Sequence, residues 1–196
     1  MDALDASLGV GVTERPLASF AVPDRFDIDD FFVARHVEER DVQIVTRAFC
    51  DPLSDGENRK PFDEALLRTV LREPLSERRA RAILVPYVIE NTADESLYGG
   101  ITFRHFDPMR GVIEIGYWLL PHARGRGLAT RSVRAAAREA FASGLWRIEA
   151  NVRIGNGASE RVLERVGFTR EGLRRRLLRD GGERVDATHF SLLAGE

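Results

Sequence analysis

Arg124-Gly125-Arg126-Gly127 puts two glycines and two arginines in four residues, and Leu128-Ala129-Thr130 follows directly. These residues suit an anion. The first N–H groups of a helix have no partner inside the helix and carry the positive end of its dipole. Small residues at Gly125, Gly127 and Ala129 let a bulky group approach those N–H groups, and Arg124 and Arg126 add charge at the same place. A phosphate or pyrophosphate is the expected ligand. The alternative is a tight turn in which glycine only supplies a positive φ. A bare Gly-x-Gly would favour that alternative. A strand before the turn and a helix after it favour the anion site.

The positioning elements are legible on both sides. Ile113, Ile115, Tyr117 and Leu119 alternate with Glu114, Gly116 and Trp118, which is strand period. Pro121 ends that strand, because proline has no N–H for a ladder. Ala129, Val133, Ala136 and Ala140 then recur at helical spacing, with Arg131, Arg134 and Arg138 on the opposite face.

Arg124-x-x-Gly127-x-Ala129 resembles the Gln/Arg-x-x-Gly-x-Gly/Ala signature of the GNAT acyltransferases. Glu114-Ile115-Gly116-Tyr117-Trp118-Leu119 is similar to the preceding strand in the RimJ/RimL-type branch, the ribosomal-protein N-terminal acetyltransferases. Asn151, Asn156, Ser159, Gly167, Phe168, Glu171 and Gly172 keep the spacing of a second motif of that branch. The resemblance covers roughly residues 30–193. It implies an α+β fold: a central mixed, mainly antiparallel sheet, splayed at the cofactor strand and flanked by about four helices. It implies transfer of an acetyl group from acetyl-CoA to a primary amine, with no acyl-enzyme. The cofactor would be held by Arg124, Gly125, Arg126, Gly127, Leu128, Ala129 and Thr130. Tyr117, Trp118 and Leu119 would run beside its pantetheine arm, with Asn151, Asn156 and Ser159 toward the sulfur.

Direct transfer needs an acceptor for the amine proton and a donor to the leaving sulfur. Many GNAT enzymes use a tyrosine in the short helix as the acid, but this chain has Leu163 at that step. Ser159 resembles the serine of the ribosomal-protein branch and becomes the candidate donor. Asn156 also suits the helix N-cap, with Ser159 in the first turn. Glu114 is the candidate base, directly or through water. Its apolar neighbours would raise its pKa. An outward-facing glutamate is the alternative. His36, His105, His122 and His189 are scattered without metal-ligand spacing, so no metal is expected.

Bulk properties narrow the rest. The 196 residues are 43% hydrophobic and 31% charged, enough for one domain with a core. A net charge of −2 argues against a nucleic-acid-coating protein. Cys50 is alone, so no internal disulfide forms and a reducing, cytoplasmic setting is expected. No apolar run is long enough to cross a membrane. Residues 1–28 are expected as a partly ordered extension and 29–196 as the single domain, which could form a homodimer.

Taken in order, a strand is expected at 31–35 and a helix from Glu38 to Phe49. A polar loop at 54–60 and a helix from Pro61 follow, then a strand at 82–89 whose Pro86 suggests an edge or a bulge. Strands at 97–103 and 112–119, the helix after the glycine turn, a strand at 147–152 and a helix at 158–166 come next. Asp180-Gly181-Gly182 predicts a closing hairpin. A second functional reading is a CoA-binding module without catalysis. Nucleic-acid binding through Arg170, Arg174, Arg175, Arg176, Arg179 and Arg184 is disfavoured by interspersed acids and the lack of aromatics. Those arginines suit a solvated strand face, a cofactor phosphate or an acidic substrate. The acceptor amine, a protein N-terminus or a small molecule, is not encoded in any recognisable motif.

Overall fold

The computed structural model describes residues 21–50, 64–74, 84–180 and 182–196. Eight strands form one sheet: β1 Arg25–Asp27, β2 Phe32–His36, β3 Val85–Asn91, β4 Leu97–Asp107, β5 Val112–Leu119, β6 Arg147–Arg153, β7 Thr169–Asp180 and β8 Glu183–Leu193. Four α-helices accompany them among the described residues: α1 Val42–Cys50, α2 Glu64–Arg72, α3 Leu128–Ala142 and α4 Gly157–Val166. The expected α+β fold is therefore present.

The strand order is β1-β2-β3-β4-β5-β6-β8-β7. Every neighbouring pair is antiparallel except β5 with β6. That parallel pairing runs only from Val112–Arg147 to Glu114–Glu149. Beyond it β5 stays on β4 and β6 stays on β8. The sheet thus opens a wedge between the C-terminal ends of two parallel strands, where open α/β sheets place their ligands.

The two faces differ. On one, Ile101, Phe103, Ile113, Ile115, Ile148 and Phe190 pack against Val133, Ala136, Ala137, Ala140 and Leu163 of α3 and α4. Burying each isoleucine contributes about 1.5–3 kcal/mol. The alanine stripe brings the α3 backbone close to the sheet, so its N-terminus lies at the end of β5. On the other face α1 and α2 cover Val88, Leu97 and Trp118. Farther along, β6 and β8 present Arg147, Glu149, Asn151, His189 and Ser191 instead, alternating with the buried Ile148, Ala150, Phe190 and Leu192.

Some expectations change. Residues 22–27, counted with the extension, join the fold: β1 pairs with β2, and the Tyr87 hydroxyl donates to the Pro23 carbonyl at 2.9 Å. Pro86 is not on an edge strand, because β3 lies between β2 and β4. Its carbonyl accepts from Val37 N–H at 3.2 Å, just past the last β2–β3 pair at His36–Tyr87. The missing N–H therefore faces the frayed end of β2 and removes no bond to β4. The register shift in that pair falls between Ile89 and Glu90, away from Pro86. The 54–60 loop, Pro61, Ala82 and Gly181 lie outside the described residues.

Candidate active site

The glycine turn sits at the end of β5. After a 3₁₀ turn at Pro121–Ala123, the Arg124 Nε donates to the Leu119 carbonyl at 3.0 Å. Gly125 and Gly127 have φ of 76° and 72°, the left-handed region that a side chain rarely adopts. Gly127 is the N-cap of α3, and no side chain caps that helix. A Cβ at Gly125 would meet nothing within 4 Å. Open space thus lies beside the leading amides of α3. Arg131 ties the turn from behind, its Nη1 on the Arg126 carbonyl at 2.9 Å and its Nε on Asp29 Oδ2 at 2.7 Å. Uncapped amides, open backbone and nearby guanidiniums fit a pyrophosphate.

A second group spans the wedge. The Tyr117 hydroxyl, from β5, lies 2.7 Å from Ser159 Oγ and 3.1 Å from the Ser159 carbonyl oxygen, in the first turn of α4. Burial pushes the phenol up to about 12, and the Ser159 hydrogen bond offsets part of that rise. Tyr117 therefore stays a proton donor. Asn156 caps α4 by accepting from the Ser159 backbone N–H at 3.0 Å. The cap uses the serine backbone and leaves its hydroxyl to Tyr117.

The third group lies on the opposite face. Glu114 Oε1 accepts from Arg104 Nε and Nη2 at 2.9 and 2.6 Å, and its Oε2 is 3.0 Å from His105 Nδ1. Burial pushes this carboxyl up most strongly of any single influence, as expected. The charges and hydrogen bonds of Arg104 and His105 together outweigh it, so Glu114 titrates below its usual 4.5. The expected rise is therefore reversed. Arg104 stands directly opposite Glu114 in the β4–β5 register, and a β-bulge adds His105, because that register shifts between Arg104 and Asp107 and His105 takes φ 54°. The extra residue brings His105 to the carboxylate that Arg104 already faces. These three line a cleft of about 310 Å³ with Asn151, Arg174 and Arg179.

The proposed site residues fall into these groups unevenly. Arg124 to Thr130 stay together at the end of β5, and Tyr117 joins Ser159 and Asn156 across the wedge. Trp118 points to the other face, packed with the α1–α2 cluster, where a Cβ at Gly100 would come within 2.7 Å of its Nε1. Asn151 also lies on that face, its Oδ1 2.9 Å from His189 Nδ1. Leu119 packs against the α3 side and contributes its carbonyl to Arg124. Arg104 was not singled out from the sequence, His105 was weighed only as one of four scattered histidines, and Arg174 only as one of six arginines suited to a solvated face, a cofactor phosphate or an acidic substrate. Strict strand period puts Arg104 on the face of Glu114, so that signal was available. The bulge that adds His105 had no signal.

Three groups thus gather along β5, on the two faces of the sheet, and comparisons with known proteins add the family. A family profile described as acetyltransferase (GNAT) domain matches residues 22–169. The chain belongs to the GNAT family. Among relatives, YdaF of Bacillus subtilis (strain 168), named provisionally as a ribosomal N-acetyltransferase, is 36% identical over 104 residues. That match covers 53% of this chain and 57% of YdaF, so the chain spans little more than half the length of this relative. Mycobacterium smegmatis RimJ in complex with CoA-disulfide superposes with a TM-score of 0.70 and 28% identity, covering 83% of this GNAT chain and 82% of RimJ. Spermidine N-acetyltransferase from Vibrio cholerae, in complex with CoA and spermine, superposes at 0.72 with 17% identity over 84% and 96% of the two chains, which speaks for the GNAT fold alone.

Proposed function

We propose that this GNAT enzyme acetylates a primary amine by direct transfer, with the amine entering from the cleft of Glu114 and the cofactor lying in the wedge. The observation that carries this is a carboxylate–imidazole pair and a tyrosine–serine hydroxyl pair on the two faces of β5, where its pairing with β6 ends, beside uncapped helix amides. When bound, acetyl-CoA supplies the activated thioester. The amides of Leu128, Ala129 and Thr130, with Arg124 and Arg126, hold its pyrophosphate. Glu114 Oε2, 3.0 Å from His105 Nδ1, orients that ring, and the pair takes the proton of the incoming ammonium, directly or through water, so that the neutral amine attacks. Tyr117 donates to Ser159 Oγ, and the freed Ser159 hydrogen turns to the leaving sulfur. The acceptor is a protein N-terminus, as the names of YdaF and RimJ suggest, or a small amine.

One experiment separates the parts. Gly127→Asp places a carboxylate and a Cβ at the pyrophosphate amides, and acetyl-CoA binding by calorimetry should be lost while the circular dichroism spectrum is kept. Glu114→Gln should keep that binding and lower kcat by roughly a hundredfold, within the usual range for a positioned acid–base group. Unchanged affinity in Gly127→Asp would defeat the cofactor site. A wild-type rate in Glu114→Gln would return that residue to a structural ion pair.

A further inference from the structure

We infer that the acceptor carries a carboxylate close to its reacting amine. This rests on the reading above and concerns what the cleft selects. Its lining sets three guanidiniums, Arg104, Arg174 and Arg179, against one carboxylate, Glu114. Both oxygens of Glu114 are already engaged, Oε1 by Arg104 and Oε2 by His105. Arg174 Nη2 reaches Glu149 Oε2 only at 3.4 Å, whereas Arg147 Nε holds Glu149 Oε1 at 2.8 Å. The other contact of Arg174 is the uncharged ring of His189, at 3.0 Å. Arg179 is exposed at the rim. The cleft therefore presents excess positive charge to whatever enters beside the proton acceptor.

The arrangement is built by backbone irregularities on two strands. On β4, Arg104 faces Glu114 in register and the bulge sets His105 beside the same carboxylate. On β7 the register slips between Arg174 and Leu178, with Arg176 at φ 51° and its N–H held by Asp186 Oδ1 at 2.8 Å. Arg174 stands at one border of that slip, and Arg179 follows its other border. Bulges re-aim side chains next to active sites, and a non-glycine residue in the left-handed region needs its surroundings to hold it there. The cleft of about 310 Å³ is at the small end of ligand pockets, room for an amine and its immediate neighbours. A polyamine would bring like charge to Arg174 and Arg179. An amine with a carboxylate a few bonds away would meet its complement, as an acidic amino acid or a peptide N-terminus with an early acidic residue does.

The test uses the full chain. Acetyl transfer from acetyl-CoA is measured for free glutamate, the dipeptides Ser-Glu and Ser-Lys, ten-residue peptides with the same first two residues, and spermidine. The same dipeptides are titrated calorimetrically into the CoA-loaded protein. The glutamate-bearing acceptors should lead in kcat/KM by roughly three- to tenfold, the scale of two partly exposed charge contacts, and the lead should shrink as salt is raised. Comparison of free glutamate, dipeptide and decapeptide tells whether a small molecule or a protein N-terminus supplies the carboxylate. Arg179→Glu, at an exposed position, should cancel or invert the preference without changing acetyl-CoA affinity, and Arg174→Glu should do the same. Equal or lysine-favouring rates and affinities, or a preference untouched by both reversals, would overturn the inference. Charge-selective binding with no turnover of any amine would uphold it and defeat direct transfer. Turnover without charge preference would do the reverse.

Discussion

Ser159 has two hydrogen-bonding groups with separate duties. Its backbone N–H is capped by Asn156 at 3.0 Å, and its hydroxyl meets Tyr117 at 2.7 Å. Sequence left capping and catalysis entangled at this residue, and the geometry separates them. Ser159→Ala keeps the cap, so stability should change by less than about 1 kcal/mol. The lost donor to developing charge should cost about 2.7–4 kcal/mol in the barrier, roughly a hundredfold or more in kcat. Tyr117→Phe added to Ser159→Ala should lower kcat little further, because the two hydroxyls act as one unit. Steady-state kinetics and a melting curve check both claims. A mutant that melts earlier but turns over normally would remove Ser159 from the chemistry.

Elements place these residues through contacts distant in sequence. Asp29 lies between β1 and β2, where its Oδ1 accepts from Phe31 and Phe32 N–H at 2.9 and 3.1 Å. Its Oδ2 holds Arg131 of α3, whose other nitrogen holds the Arg126 carbonyl of the glycine turn. The first strands thereby brace the glycine turn. Asp29→Asn keeps an oxygen for the β1–β2 turn and removes the charge opposite Arg131. A part-exposed ion pair contributes up to about 1 kcal/mol, so the Kd for acetyl-CoA should rise by roughly two- to fivefold with kcat unchanged. An unaltered Kd by calorimetry would show that the turn stands without this brace.

Across the whole molecule, the sheet joins an apolar interior to a polar face with charges at its centre. His189 is 6% exposed and sits among Arg174, Glu149, Glu171, Arg147 and Asn151. Burial, then the charge of Arg174, pushes its pKa below the usual 6.5, and the two glutamates only partly resist. The unfolded chain therefore takes up this proton first as pH falls. Stability should be lost from about pH 6.5 downward until the folded histidine itself is protonated. His189→Gln should flatten the dependence of Tm on pH across that window. The carboxylates extend the loss to lower pH: Glu171 is held down to about 2, first by its Arg147 hydrogen bond and then by Ser191, and Glu114 also titrates low. Parallel Tm–pH curves for His189→Gln and the parent chain would show that the buried ring does not carry this dependence.

The local order of the chain alone determined the segments flanking the wedge and the glycine turn at its end. Strand alternation at 112–119, the alanine stripe of α3, glycines where φ must be positive and the closing hairpin are properties of neighbours in sequence, where side-chain period and backbone sterics act directly. The resemblance carried by Arg124-x-x-Gly127-x-Ala129 and by the Asn151–Gly172 spacing added the family and its cofactor. Tertiary structure alone decided three things. β8 inserts between β6 and β7, because long-range pairing sets strand order. The β5–β6 pairing stops after three residue pairs, which opens the wedge. Arg104 pairs opposite Glu114 across β4 and β5 and a single extra residue in β4 adds His105, which together turn an expected rise in the Glu114 pKa into a fall. Each depends on which residues distant in sequence come within about 3–4 Å, the range over which hydrogen bonds and partly buried charges act, and side-chain period carries no record of that.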